Sequence, residues 1–105
     1  MQRQTSGRRG HKDLQLCRQV HDALTYALAE LDDPMIDELV LVSVTPAPSA
    51  ARVQVTFAPP TRSDYDFEAA LARLHEVAPE LREEVAAEVA RRRVPELVFR
   101  IAPPA

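Results

Sequence analysis

Residues 38–57 have the sequence ELVLVSVTPAPSAARVQVTF, and this stretch decides the fold class of the chain. Its first part, 38–45, is almost continuously apolar and β-branched, and its last part, 51–57, alternates strictly between apolar and polar side chains. Both patterns are typical of β-strands. Two prolines separate the strands, and proline cannot donate a ladder hydrogen bond. The stretch therefore predicts an antiparallel hairpin. Its solvent face is formed by Arg52, Gln54 and Thr56.

An amphipathic helix is predicted before the hairpin. From Asp13 to Leu31 the apolar residues recur every three or four positions, which places them on one helical face. The helix is expected to end at Asp32-Asp33-Pro34, because proline lacks the amide hydrogen that a helix interior needs.

Two further helices and a strand are predicted after the hairpin. Ser63 and Asp66 resemble a capping box that starts the second helix. Pro79 is suited to the first turn of a new helix but not to a helix interior, so the helix is expected either to kink there or to restart as a third helix, which ends at 91–93. Residues 96–101 alternate again and predict the last strand.

The predicted order is helix, strand, strand, helix, helix, strand. Three helices and three strands bury their apolar faces together when the helices cover one face of a three-stranded sheet, which is an α+β architecture. The single domain spans 13–101, and 102–105 form a short tail. The predicted core consists of Leu24, Leu28, Val42, Val53, Val55, Leu71, Leu74, Val85, Val89 and Phe99.

Composition excludes several functional classes. The 105 residues, 46% hydrophobic and 28% charged, suit one compact domain, and no apolar run approaches the ~18 residues of a membrane-spanning helix. The single cysteine, Cys17, allows neither an internal disulfide nor a cysteine-based zinc cage. Two glycines leave no phosphate-binding loop, and neither His21 nor His75 has metal-ligand spacing. We expect no catalytic residues, cofactor, metal or small-molecule substrate, and no membrane association.

Charge is distributed unevenly along the chain. Residues 1–12 carry four basic side chains and no acid, whereas 13–105 carry 9 basic against 16 acidic groups, a formal charge of −7. We predict that 1–12 form a basic, flexible N-terminal arm. Such an arm either docks on phosphate through Arg8, Arg9 and Lys12 or stays a solvated terminus.

Several short motifs, taken in order, resemble the type II KH domain of the ribosome-binding factor A family over roughly residues 8–101. The chain shares an Arg-rich start, a helix that ends in Asp-Pro, a Val-rich hairpin and a closing Pro-Glu-Leu-x-Phe strand. The matching positions are Asp33-Pro34, Val42 to Val44, Arg52-Val53, Leu81-Arg82, and Arg93 with Pro95-Glu96-Leu97 and Phe99.

The resemblance implies a KH-like, non-enzymatic, monomeric protein of the cytoplasm that binds the immature small ribosomal subunit and its rRNA and assists rRNA maturation. The family's interhelical kink falls on Val77-Ala78-Pro79, where proline occupies the usual glycine position. Arg82 and Arg93 are eleven residues apart and would share one side of a continuous helix. The expected RNA-binding residues are Arg8, Arg9, Lys12, Arg52, Arg82, Arg91, Arg92 and Arg93.

Three other interpretations stay open at this stage. The terminal arginines of the third helix are also suited to capping helix carbonyls. The acidic body and Pro79 favour, as the alternative function, a protein-interaction module that keeps the KH-like fold but has lost rRNA binding. An enzyme is the third alternative.

Overall fold

A computed structural model describes the backbone of residues 2–47, 51–89 and 94–103, and the side chains of 14–47, 51–89 and 94–103. Six elements follow one another along the chain: α1 (Gln2–Leu31), α2 (Pro34–Asp37), β1 (Val40–Pro46), β2 (Arg52–Ala58), α3 (Phe67–Glu88) and β3 (Glu96–Ile101).

The three strands form one mixed sheet in the order β1-β2-β3. β1 and β2 are antiparallel, which confirms the predicted hairpin. β3 lies parallel to β2, with α3 as the crossover between them. The sequence left the strand order open, and the structure places the alternating strand β2 at the centre. The predicted α+β fold class is confirmed.

The helices pack on one face of the sheet. α1 packs against β1, α3 packs against β3, and the two long helices pack against each other, while the short α2 contacts both. Val53, Val55 and Phe57 of β2 are fully buried beneath them. Seven predicted core residues are buried, and Leu28 and Leu71 are half-buried against the same core. The seven are Leu24, Val53, Val55, Leu74, Val85, Val89 and Phe99.

The prediction that Val42 belongs to the core is wrong. Leu41 pairs with Phe57 and Ser43 pairs with Thr56, so Val42 is the extra residue of a β-bulge. Because the bulge inserts one residue, the alternation of inward and outward side chains along β1 shifts at this point. Val42 is 54% exposed, whereas Val44 is buried. A sequence prediction that assumes strict alternation of inward and outward side chains does not detect such an inserted residue.

The predicted start of a third helix at Pro79 is also wrong, whereas a kink at Val77-Ala78-Pro79 stays a prediction. α3 is one helix that contains Pro79 in its interior, so the sequence's second and third helices are joined. The proline forfeits one backbone hydrogen bond. The buried stripe nevertheless stays in phase on both sides of it, and packing of that stripe outweighs the local penalty. The stripe consists of Leu74, Val77, Leu81 and Val85.

The helix termini differ from the predicted ones. α3 begins at Phe67, because Asp66 is its N-cap and accepts a hydrogen bond from the Ala69 amide at 3.0 Å. Ser63 therefore lies before the helix instead of capping it. α2 was not predicted, although Asp33 followed by a proline at the first helical position is a recognised helix start.

α1 begins at Gln2, eleven positions before the predicted start at Asp13, so the backbone of most of the basic N-terminal segment is helical. Its side chains up to residue 13 lie outside the described part of the structure, and the assignment of 1–12 as a flexible arm stays a prediction. Among the described residues, no helix combines the length and apolarity needed to cross a membrane.

Candidate nucleic-acid interface

Positive charge is scarce on the part of the chain whose side chains are described. That part carries 6 arginines against 15 acidic residues, a formal charge of −9. The other seven basic residues belong to two short segments, at 3–12 and at 91–93. Any polyanion therefore meets a predominantly acidic body with two basic segments attached to it.

The two basic segments are attached at the same end of the helical layer. The C-terminal turn of α3 lies beside the middle of α1, since Glu88 shares a surface depression with Gln19 and Asp22. Farther along, Glu80 and Glu84 lie beside Glu30 of α1, so the two helices run antiparallel. α1 continues from Gln19 back toward Arg8, and segment 90–93 departs from Val89.

Arg82 is exposed on α3 and is bound to the backbone. Its Nη2 donates to the Val94 carbonyl oxygen at 3.1 Å, which joins the helix to the residue just before β3. Pro95, which follows, is fully buried. Arg82 therefore holds the entry of β3 against the helix, a role that the sequence motif did not indicate.

The predicted Arg82–Arg93 stripe depends on a helix that continues to Arg93, a residue outside the described part of the structure. α3 ends at Glu88, and its C-cap Val89 is extended, with φ −98° and ψ 113°. The angular relation between the two arginines assumed a continuous helix to Arg93. Arg91, Arg92 and Arg93 lie outside the described residues, as do the side chains of Arg8, Arg9 and Lys12.

Arg52 lies on a different surface, the face of the sheet turned away from the helices. It is the register partner of Glu96, and its Nε is 3.3 Å from the Glu96 carboxylate in an exposed ion pair. Arg82, by contrast, lies on α3 and binds the Val94 carbonyl, two residues before Glu96. Exposed pairs of this kind contribute at most about 1 kcal/mol to stability.

The groove between α1 and α3 is unfavourable for RNA. Glu30, Glu80, Glu83 and Glu84 line a cleft of about 280 Å³ there, together with apolar side chains of both helices. Closely spaced carboxylates repel a phosphate backbone. No group of three or more potential metal ligands occurs among the residues that the structure describes.

A polar junction that sequence reasoning missed centres on Asp33. One carboxylate oxygen accepts from the amides of Met35 and Ile36 at 3.1 and 3.3 Å, and the other accepts from the Arg73 guanidinium of α3. The Arg73 hydrogen bond lowers the pKa of Asp33, and the Ile36 and Met35 amides act in the same direction. The Asp-Pro pair signals the cap, but nothing in the local pattern signals the bond to Arg73.

The residues considered for catalysis form no catalytic arrangement in the described structure. Cys17 is buried on the inner face of α1, as its position in the apolar stripe predicts. His21 Nδ1 lies 4.0 Å from the exposed carboxylate of Asp22. His75 is exposed, and its ring centroid lies 5.9 Å from that of Phe99.

These features define an α+β domain with a helical layer on one side of a β1-β2-β3 mixed sheet, the class expected from the KH-like resemblance. Three solved structures share it. The crystal structure of ribosome-binding factor A from Thermus thermophilus has 26% identity and a TM-score of 0.72, covering 85% of this chain and 94% of that one.

A homology model of the Thermus thermophilus protein, fitted into a cryo-EM map of a 30S complex with ribosome-binding factor A, has 28% identity and a TM-score of 0.63. It covers 91% of this chain and 99% of that one. The solution structure of a Thermotoga maritima protein proposed to be a ribosome-binding factor A has 17% identity and a TM-score of 0.73, with 87% of each chain covered. At that identity the likeness shows the fold alone.

Comparison of the sequence with family models and with curated proteins gives no match. The structural matches cover most of the chain and, in two cases, include identities above 25%. They confirm the resemblance to ribosome-binding factor A and support an RbfA-like family for this chain.

Proposed function

We propose that this protein is a ribosome-associated factor of the cytoplasm that binds the small ribosomal subunit through rRNA and assists its assembly and rRNA maturation without catalysis. The observation that carries the proposal is the match to the Thermus thermophilus factor, which extends over 94% of that chain at 26% identity. The related Thermus model was fitted into a 30S complex.

Charge segregation supports this function and indicates where binding occurs. The seven basic residues of segments 3–12 and 91–93 are attached at one end of a body whose described side chains carry −9. Basic side chains gain affinity for RNA by releasing the counterions condensed on phosphates. We propose that this end faces rRNA and that the acidic α1–α3 groove faces away from it, with the protein acting as a monomer.

Sedimentation with ribosomal particles tests the proposal. The tagged protein should co-sediment with small subunits at low salt and dissociate progressively as salt rises, because each neutralised phosphate contributes about 0.7 to 0.9 to the salt slope. A protein that stays in the soluble fractions at both low and moderate salt would contradict the proposal.

Substitutions in the basic segments test the location of binding. Replacing Arg91, Arg92 and Arg93 by Gln should lower the salt slope by about one unit for each phosphate contact that is lost. The control is Arg62→Gln, which removes a charge that is already paired with Glu38 at 2.7 Å. Equal affinities and slopes for the parent and the triple variant would remove the α3–β3 segment from the interface.

The second candidate is a protein-interaction module, and the −9 charge of the described side chains favours it. Such a module would bind a basic polypeptide through the acidic groove. The same sedimentation experiment separates the two, because a module without rRNA binding would not respond to loss of the basic segments.

A further inference from the structure

The outward face of the sheet is the part of the described body that is poorest in acidic residues. Of the 15 described acidic residues, only Glu96 projects from this face, and it is paired with Arg52. The remaining fourteen lie on the helices and on the loops that connect the elements. The residues that point to this side are Val40, Val42, Ser43, Thr45, Arg52, Gln54, Thr56, Ala58, Glu96, Val98 and Arg100. Thr56, which was predicted to be solvent-facing, is buried beneath its neighbours at 9% exposure.

Arg100 supplies a positive charge to the β3 edge of this face, near the C-terminal end of the strand. It is exposed and is the β3 register partner of Thr56, which in turn is the partner of Ser43 on β1. Among the side chains that the structure describes, none forms an ion pair with Arg100. Its charge is therefore available to a ligand, whereas Arg73 and Arg62 are occupied by carboxylates.

The neutral side chains around Arg100 are donors that suit a sugar–phosphate backbone. On this face, Ser43 shares a cross-strand row with Thr56 and Arg100. Thr45 shares the neighbouring row with Gln54 and Val98. Hydroxyl and amide groups commonly contact phosphate and ribose oxygens. The described face carries no aromatic ring, so backbone contact is favoured over base stacking.

We propose that the outward face of the sheet is a second RNA-binding surface, on which Arg100 binds phosphate and the neutral polar side chains contact the sugar–phosphate backbone. The inference rests on the proposed RNA-binding function and adds a site to it. Charge complementarity selects RNA as the occupant, because a polyanion approaching the α1–α3 side meets the acidic cleft instead. The exposed Val42 and Val98 leave apolar area for riboses at the edges of the face.

Two pairs of variants test this surface. Arg100→Gln is compared with Arg62→Gln, because each removes one exposed arginine, and Arg62 lies on the β2–α3 loop outside the face. Thr45→Glu is compared with Thr61→Glu, because each adds one charge at an exposed threonine, within the face or on the β2–α3 loop. Fluorescence anisotropy with a labelled oligouridine and sedimentation with purified small subunits are measured over a range of salt concentrations.

We expect Arg100→Gln to lower the salt slope for oligouridine by about 0.7, the contribution of one phosphate on a single strand. Thr45→Glu should weaken binding about fivefold by charge repulsion at close range. Arg62→Gln and Thr61→Glu should stay within about twofold of the parent. Urea unfolding of each variant verifies that the fold is retained.

Other outcomes would overturn the inference in distinguishable ways. If the parent binds but Arg100→Gln and Thr45→Glu do not change affinity, the face does not contact RNA and the proposed function still stands. Equal weakening by all four substitutions would mean that only net charge matters. Weaker subunit binding with unchanged oligouridine binding would assign the face to a ribosomal protein. If the parent binds neither probe, the proposed function itself fails.

Discussion

Replacing valine by threonine at two positions of the sheet measures which way each side chain points. Val42 is 54% exposed on β1, whereas Val55 is fully buried on β2 between its register partners Val44 and Phe99. Threonine keeps the shape and strand propensity of valine but replaces a methyl group by a hydroxyl. The two substitutions are therefore chemically identical and differ only in their surroundings.

The expected costs follow from burial. At Val55 the new hydroxyl would enter an apolar interior, and a buried hydroxyl without a hydrogen-bond partner costs about 1–3 kcal/mol. At Val42 the hydroxyl would remain in water, so the free energy of unfolding should change by less than about 0.5 kcal/mol. Val44→Thr, at a position that is 9% exposed, provides an internal comparison on the same strand as Val42.

Urea unfolding, monitored by circular dichroism, gives the free energy of unfolding of each variant. We expect Val55→Thr to lower the midpoint at an unchanged slope, and Val42→Thr to leave both unchanged. Equal destabilisation by Val42→Thr and Val55→Thr would mean that both side chains face the core. The β-bulge at Val42, and with it the assignment of the outward face, would then be refuted.

Three further predictions concern the helices. Pro79→Ala should raise the melting temperature, because alanine restores a backbone donor inside α3 and is favoured over proline in a helix interior by about 3 kcal/mol; no change would indicate that the helix is interrupted there. Asp33→Asn keeps the cap but loses the ionic bond to Arg73. The parent's stability advantage over it should be present above the ordinary Asp pKa of 3.8 and disappear as the pH falls through the lowered pKa, so a pH-independent difference would contradict this. Leu24→Ala should cost about 2–5 kcal/mol and Leu28→Ala clearly less, since Leu24 is fully buried and Leu28 only half-buried, and equal unfolding energies would argue against the described orientation of α1.

The strands were largely predictable because their side-chain period is short and local. The alternation in 51–57 assigned the inner and outer faces of β2, and the bounds of β3 at 96–101 agree with the structure. Val42 was not predictable. Its exposure depends on how β1 pairs with β2, and the extra residue that reverses the parity leaves no mark in the pattern of β1 itself.

Pro79 shows the limit of local rules in the helices. A proline with no helical hydrogen bond to donate predicts a boundary. The apolar spacing from Leu74 through Val77 to Leu81 is uninterrupted, however, and it is this spacing that meets the core. Both signals were present in the sequence, and only the energy of packing against α1 and β3 decides between them.

The candidate interface was predictable in composition but not in arrangement. The motif at Leu81-Arg82 identifies an exposed arginine, yet its acceptor is the Val94 carbonyl twelve residues farther along, across the turn from α3 to β3. Arg52 and Arg100 could be assigned to a solvent face from alternation alone. That this face holds one acidic residue of fifteen follows only from the tertiary arrangement, because the acids are spread along the whole chain.

The parallel pairing of β2 with β3 affects the order in which the chain can fold. Arg52 and Glu96 are register partners although they are 44 positions apart in the sequence. The central strand β2 therefore has a partner on only one edge until β3 has been synthesised. On a translating ribosome, the hairpin and α1 can come together early, but the backbone groups on the β3 side of β2 stay unpaired until residues 96–101 have emerged. During that interval nascent chains could pair with one another along this edge, and the exposure ends when β3 pairs with β2.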